Sequence, residues 1–348
     1  MTNYENENPI VVNVDIFDET YIPSNILARS SQIRELQLCI SPAYKNDRPV
    51  HAWLYGKPGT GKTMITKYIL DKLKEDSRVR GIYINCWKSN SYYSVLDTML
   101  NELKIGFGDE RDSRLKLYKF EHFVENRPFI IILDEIDLIP VRERNLMIYN
   151  FLGIRKAGLI CISESRYPVL GLEDRVKSRL NPRFIHFEPY ALNDLTEILK
   201  ERALIALHPE SWNEATLRRV AALSEGDARK AIQTLKNAAQ VAEESHCKTI
   251  RKAHIEKAFS NIQDLRKTYA LKKLPEDQRL LYDLTRKHGT VFSSQLWKEY
   301  LKECIKREIK PIARRTFSHY MEKLKRLNLI RVERARVRGR VHVFSICD

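Results

Sequence analysis

Long apolar runs are missing from this sequence. No uninterrupted stretch approaches the ~20 residues that a membrane-spanning helix needs, which argues against a helical membrane protein. Also missing is any CxxC pair: the six cysteines, at 39, 86, 161, 247, 304 and 347, are scattered. They fall mostly in apolar or helical contexts and read as reduced core thiols, as expected of a cytoplasmic protein. The nine histidines show no metal-ligand spacing, so no zinc site is expected. The opening MTNYENENP is acidic and polar, unlike a secretory leader. Internal repeats and low-complexity segments are lacking too.

What is there is a chain of 348 residues, 30% charged and 43% hydrophobic, long enough for two or three domains with a real core. Its net charge of +15 is unevenly placed. Between Lys302 and Arg340 there are fourteen Lys/Arg against four Asp/Glu, whereas residues 1–50 hold four against seven. Such asymmetry suggests a polyanionic partner at the C-terminal end, although charge alone does not choose nucleic acid over a solvated surface.

GKPGTGKT, residues 56–63, raises the chemical question. A loop from Gly56 to Gly61 can turn backbone N–H groups around phosphates; its glycines permit the positive φ this needs, and Pro58 stiffens it. Lys62 then supplies a full charge, and Thr63 offers a hydroxyl to Mg²⁺. HAWLY before the loop reads as a buried strand. After it, Ile65, Ile69 and Leu73 recur at four-residue spacing, which predicts a helix whose N-terminus faces the phosphates.

Further strands are expected at GIYINCW, RPFIIILDEID, GLICISES and RFIHFEPY, with helices between them at SNSYYSVLDTMLNELKI (capped by Ser91 or Ser94) and RNLMIYNFLGI. Apolar strands alternating with helices predict a parallel sheet covered on both faces. LDEID delivers Asp134 and Glu135 to the sheet's carboxyl edge. Asp134 is suited to hold Mg²⁺ through water, and Glu135 to orient and deprotonate an attacking water. From Ala191 the pattern becomes four successive amphipathic helices. Beyond the polar KKLPED, three helices and a basic hairpin read as a winged-helix module. In PIARRTFSHYMEKLKRLN, Phe317, Met321 and Leu324 share the inward face, leaving Arg314, Arg315, Ser318 and His319 as base-reading candidates. Arg336, Arg338, Gly339 and Arg340 form a basic tip suited to the minor groove or to phosphates.

DETYIPSNILARSSQIREL, YGKPGTGKT, IILDEID, EDRVKSRL, FEPY and GDARKAIQTL stand in the order found in origin-recognition and cell-division-control initiators of the AAA+ class. Over residues 15–348 the chain resembles their compact archaeal form. The resemblance implies an α/β P-loop AAA+ base with a parallel sheet, an all-α lid and a C-terminal winged-helix domain. The expected divisions are a polar tail 1–14, base 15–190, lid 191–270 and winged helix 271–348. It also implies ATP or ADP with Mg²⁺, double-stranded origin DNA, and loading of the replicative helicase beside other copies or paralogues, in the cytoplasm with the nucleoid and away from any membrane. Carried over by position, nucleotide-binding residues are Tyr21, Ile22, Pro23, Gly56, Lys57, Pro58, Gly59, Thr60, Gly61, Lys62, Thr63, Met64 and Tyr190, with Arg229 as the lid's γ-phosphate sensor. Arg179 matches an arginine finger offered to a neighbour, with Arg175 as second choice. The region from Lys104 to Lys119 corresponds to an inserted helix that touches DNA in the family; Arg111, Arg114 and Lys116 lie in it, although a plain connecting helix fits as well.

One position departs from the family pattern. Where Ile-Ser-Asn is expected at the end of the sensor-one strand, this chain has Ile162-Ser163-Glu164. At ~4 Å and an effective dielectric near 20, a carboxylate facing a phosphate costs roughly 4 kcal/mol before it rotates or protonates. Either Ser163 or Ser165 takes the role while Glu164 turns away, or hydrolysis suffers directly; slow hydrolysis is expected in both cases. Two other functions stay open: a transcriptional regulator with a structural nucleotide, and a clamp-loader-like ATPase.

Overall fold

The computed structural model describes residues 9–75, 79–106, 112–125, 127–327, 329–334 and 342–347. It divides into two compact units, Met1–Ile255 and Glu256–Asp348. In the first unit the elements run α1 (Ser30–Ile40), β1 (Ala52–Tyr55), α2 (Lys62–Lys74), β2 (Arg80–Asn85), α3 (Tyr92–Glu102) and α4 (Ser113–Val124). Next come β3 (Phe129–Asp134), α5 (Val141–Gly153), β4 (Ala157–Ser163), α6 (Tyr167–Leu170), α7 (Asp174–Leu180) and β5 (Arg183–His186). Three helices, α8 (Leu192–Ala206), α9 (Glu214–Ser224) and α10 (Ala228–Glu244), follow without an intervening strand.

The five strands form a parallel sheet in the order β2-β3-β4-β1-β5. Both faces are dry, which is why β3 reads as one apolar run rather than an alternation. Its residues still alternate in destination. Phe129, Ile131 and Leu133 enter the core under α3, α4 and α5, while Ile130 and Ile132 enter the core under α1 and α2. Parallel pairing brings all the strands' carboxyl ends to one edge, so Asn85 pairs with Asp134 and Tyr55 with Ser163. Open α/β sheets bind ligands outside that edge. Helix α3 starts as expected at Ser91, with Ser91 and Ser94 forming a reciprocal capping box.

Residues 10–13 are not a loose polar tail. Ile10 is buried, the amides of Val12 and Asn13 donate to the Ala206 carbonyl at 2.8 and 3.2 Å, and His208 donates to Ile10. The Val11 amide reaches Glu243 of α10 at 3.0 Å. The segment is therefore an added layer on α8 and α10.

Helix α11 (Lys252–Lys272) crosses the division between the units. The division lies before the polar KKLPED stretch because Ala270, Leu271 and Leu274 pack on the second unit's own core. That unit continues with α12 (Glu276–His288), β6 (Thr290–Phe292), α13 (Ser293–Lys306), α14 (Arg314–Arg326), β7 (Ile330–Arg334) and β8 (His342–Ile346). The strands form an antiparallel sheet in the order β6-β8-β7, which is the winged-helix arrangement. β6 is too short to have a pattern of its own and was not expected; it exists because β8 offers it an edge. Leu281, Tyr300, Phe317, Leu324 and Phe344 form the core. The Tyr300 hydroxyl donates to Asp277 at 2.8 Å and accepts from the Ile312 amide at 3.3 Å, fixing the approach to α14.

His51 joins three strands of the parallel sheet. Its Nδ1 accepts from the Leu159 amide of β4 at 3.0 Å, its carbonyl accepts from Arg183 of β5, and it immediately precedes β1. Burial, with the charge of Arg48 adding, lowers its pKa from 6.5 to about 4. Between those values the unfolded chain binds the proton that the native state refuses. His51 therefore supports stability above about pH 6.5 and withdraws it as pH falls toward 4, by up to about 3 kcal/mol. His51→Asn retains an acceptor but cannot titrate. In urea unfolding, the gap between wild type and variant should shift in the variant's favour by about that amount from pH 7 to pH 4; a gap independent of pH would refute the assignment.

Candidate functional site

The loop between β1 and α2 forms one wall of a cavity of about 450 Å³ at the carboxyl edge of the sheet. Pro58, Gly59, Thr60, Gly61, Lys62, Thr63 and Met64 line it, whereas Gly56 and Lys57 do not. Those two residues lie behind it, where their carbonyls accept from the Lys62 ammonium at 2.6 and 2.9 Å. Burial lowers the Lys62 pKa, and the charges of Asp134, Glu164 and Asp137 oppose that effect. Gly59 (φ +73°) and Gly61 (φ +92°) adopt left-handed conformations that disfavour side chains. Neighbours crowd a Cβ as well, and their side chains would have to move: at Gly59 it would lie 1.9 Å from the Asp227 carboxylate, and at Gly61 2.5 Å from the Tyr190 hydroxyl.

The opposite wall is acidic. Asp134, the last residue of β3, is buried, and its Oδ2 accepts from Thr63 Oγ1 at 2.6 Å. These are the two groups read as Mg²⁺ ligands, and they stand at one point although 71 residues separate them. A hydroxyl and a carboxylate are hard oxygen donors, as Mg²⁺ prefers. The sequence reading missed Tyr83, whose hydroxyl donates to the same Oδ2 at 2.7 Å from β2. Burial and the Asp134 charge push the Tyr83 phenol far up, so it stays a donor. Glu135 follows in a left-handed conformation (φ +56°), unusual for a side-chain-bearing residue and the kind of strain found at functional sites. Partial burial and then the charges of Asp134 and Asp137 raise its carboxyl pKa; Arg229 opposes this and Glu164 adds to it.

Glu164 lines the cavity and is exposed in it. The expectation that Ser163 or Ser165 replaces it meets a physical obstacle. Ser163 Oγ accepts from the Trp53 indole at 2.8 Å and donates its only proton to the Ser165 carbonyl at 2.5 Å. Ser165 is not part of the lining.

Tyr21, Ile22, Pro23, Tyr190 and Arg229 also line the cavity. Arg229 lies at the start of α10, where the Ala228 amide donates to the Gly59 carbonyl at 3.0 Å. Two buried arginines that the sequence did not single out hold these pieces in place. Arg29 donates to the carbonyls of Thr60 and Glu188 at 3.1 and 2.5 Å, with its guanidinium 3.9 Å from the Tyr190 ring centre. Arg202 of α8 stacks on the Tyr21 ring at 4.2 Å. No local sequence signal marks either one: Arg29 is followed by Ser30-Ser31-Gln32, and Arg202 sits beside Lys200 and Glu201.

Arg179 and Arg175 are exposed on α7 and do not line their own chain's cavity. Arg179 lies 4.8 Å over the Tyr149 ring, and Arg175 pairs with Glu173 at 2.7 Å. Lys116 is not a surface cation: it is 1% exposed, paired with Asp97, and 3.7 Å from the Tyr93 ring centre. It anchors α4 to α3, which removes it from the nucleic-acid candidates. Arg114 remains exposed, 3.5 Å from Asp112; Arg111 lies outside the described residues.

In the second unit, α14 buries Phe317, Met321 and Leu324 and exposes Arg314, Arg315, Ser318 and His319. Arg314 is steered by aromatic faces, 5.0 Å from Trp297 and 5.3 Å from Phe317. Arg336, Arg338, Gly339 and Arg340 lie outside the described residues, between β7 and β8.

Residues 47–162 match the AAA domain family, and residues 196–260 match the Cdc6 AAA+ ATPase-type lid domain. The ORC1-type DNA replication protein of Pyrococcus abyssi is 30% identical over 357 residues, covering 92% of this chain and 83% of the relative. ORC1-type DNA replication protein 1 of Sulfurisphaera tokodaii is 28% identical, covering 89% and 83%. Among solved structures, the Aeropyrum pernix ORC1 protein in complex with DNA superposes with a TM-score of 0.79 at 25% identity, over 97% of this chain and 94% of that one. Cdc6p from Pyrobaculum aerophilum shares the fold, with a TM-score of 0.67 at 19% identity over the same shares of the two chains. At 30% identity over 92% of its length to a curated member, the chain belongs to the family of ORC1-type DNA replication proteins.

Proposed function

We propose that this protein is a nucleotide-governed switch in replication initiation. It holds ATP or ADP with Mg²⁺ in the first unit and binds double-stranded origin DNA through the winged helix. In that role it supports loading of the replicative helicase, beside other copies or paralogues. The base spans residues 15–190, the lid 191–270 and the DNA-binding domain 271–348, with the last turns of α11 packed on the DNA-binding domain's core. The observation that carries the reading is convergence: Lys62, Thr63, Asp134, Glu135, Arg229 and the Tyr21–Pro23 segment all line one cavity.

The lining residues divide the work. Lys62 and the first turn of α2 favour phosphate charge. Thr63 and Asp134 would hold Mg²⁺, which when bound neutralises phosphate oxygens. Glu135, with its raised pKa, is suited to accept a proton from water. Glu164 works against the reaction, because it adds negative charge where an amide donor belongs in the family pattern, and the neighbouring Ser163 has no proton left to offer. Arg179, exposed on α7, is suited to serve a neighbouring copy. The balance favours retention of nucleotide over repeated turnover. For the second unit, four exposed polar or basic side chains on the outer face of α14 match a recognition helix, and the related ORC1 protein was solved with DNA.

Turnover should be far below the ~1 s⁻¹ of ordinary enzymes. Since losing one positioned donor costs about 10²–10³ in rate, Glu164→Asn should accelerate single-turnover hydrolysis at least about tenfold. Glu135→Gln should nearly abolish it. Quench-flow with radiolabelled ATP measures both, and a Glu164→Asn variant no faster than its parent means that the carboxylate is not the brake.

For DNA, five to seven phosphate contacts give a log–log salt slope near −5 to −6. Arg315→Ala should cost about 1–3 kcal/mol on the preferred sequence and relax discrimination there. Lys62→Ala should remove ATP and ADP affinity in calorimetry while DNA anisotropy titrations stay unchanged. Loss of DNA binding in Lys62→Ala, with the fold intact by circular dichroism, would contradict separate sites.

A further inference from the structure

Arg229 already has an anionic partner within the protein: its Nε lies 3.3 Å from Glu19 Oε1. Both residues line the cavity. Glu19 comes from the N-terminal segment, which is fastened to the helical layer. Arg202 of α8 donates to the carbonyls of Ile16 and Tyr21, on either side of Glu19. Thr20 closes the turn by donating its amide and hydroxyl to Asp18 Oδ1, at 2.8 and 2.6 Å. Upstream, residues 10–13 hydrogen-bond to Ala206, His208 and Glu243. Glu19 and Arg229 therefore belong to the same layer, α8 to α10 with its N-terminal strap.

This shared anchoring has an electrostatic consequence. Displacing the layer from the sheet carries both partners together and does not separate them. A competing anion, by contrast, takes Glu19's place at the arginine. Both side chains are more than half exposed, so the pair is weak enough for ligand charge to displace it. A triphosphate that recruits Arg229 must displace a carboxylate, whereas a diphosphate that does not recruit it leaves the pair intact.

We infer that Glu19 is a specificity residue, a built-in counter-ion of Arg229 that biases the cavity toward nucleoside diphosphate over triphosphate. This rests on the nucleotide-binding reading above. The test is calorimetry of ADP and of the non-hydrolysable ATP analogue AMP-PNP, each with Mg²⁺, on the full chain stripped of nucleotide. Glu19→Gln should raise analogue affinity relative to ADP about two- to fivefold, the range of an exposed ion pair. The same substitution in an Arg229→Ala background should leave that ratio unchanged. The inference is overturned by a Glu19→Gln ratio equal to wild type, by parallel changes for both nucleotides, or by an equal shift without Arg229. Wild type that binds neither nucleotide would instead overturn the nucleotide reading itself.

Discussion

The contact on which the rest depends is a single backbone hydrogen bond, from the Ala228 amide at the start of α10 to the Gly59 carbonyl. It closes the helical layer onto the loop and brings Arg229, one residue later, to the cavity. It also explains why a side chain at Gly59 would be crowded. The Asp227 carboxylate that caps α10, accepting from the Lys230 amide at 3.0 Å, occupies the space a Cβ would need. The loop's glycines therefore satisfy two constraints at once: the left-handed backbone that a phosphate-wrapping turn requires, and the close approach of the layer above. Any movement of that layer is felt at the loop through backbone, without a flexible side chain between.

Charge organises the chemistry around this contact. Lys62, Lys67, Arg202, Arg229 and Lys236 line the cavity, and Asp18, Glu19, Asp134, Glu135, Glu164 and Glu201 line it too, five cations against six carboxylates. A site so nearly neutral does not attract anions by net charge; it discriminates by which pairs an anion must break. Lys62 is held on carbonyls and Arg229 on a carboxylate, so their availability is conditional. Conditional availability accords with the proposed role, in which the protein would register a bound nucleotide rather than consume it quickly.

The parts of this arrangement legible in the sequence are those written in local pattern. β3 announces itself as five apolar residues ending in carboxylates, the loop by its glycines and lysine, and α14 by the spacing of Phe317, Met321 and Leu324. Periodicity reports which face of an element is buried, because burial repeats with the period of the backbone. It does not report what a buried polar group touches. Lys116 read as a surface cation because its partners, Asp97 and Tyr93, lie on another helix. Tyr83 read as one more strand residue, although its hydroxyl meets Asp134 51 positions away.

By itself, then, the sequence determined the parallel sheet, the helical run after Ala191, the glycine-rich loop with its acidic counterpart, and the inner and outer faces of α14. Each of these is set by backbone period, turn chemistry or the apolar content of a single segment. Only the tertiary structure decided that Arg29 and Arg202 brace the cavity-lining pieces, that residues 10–13 dock on α8 and α10, and that β6 finds an edge on β8. It also decided that Glu19 stands beside Arg229. The reason is common to all of them: these are pairings between groups far apart in the chain, and their geometry exists only once the sheet and its covering helices have packed.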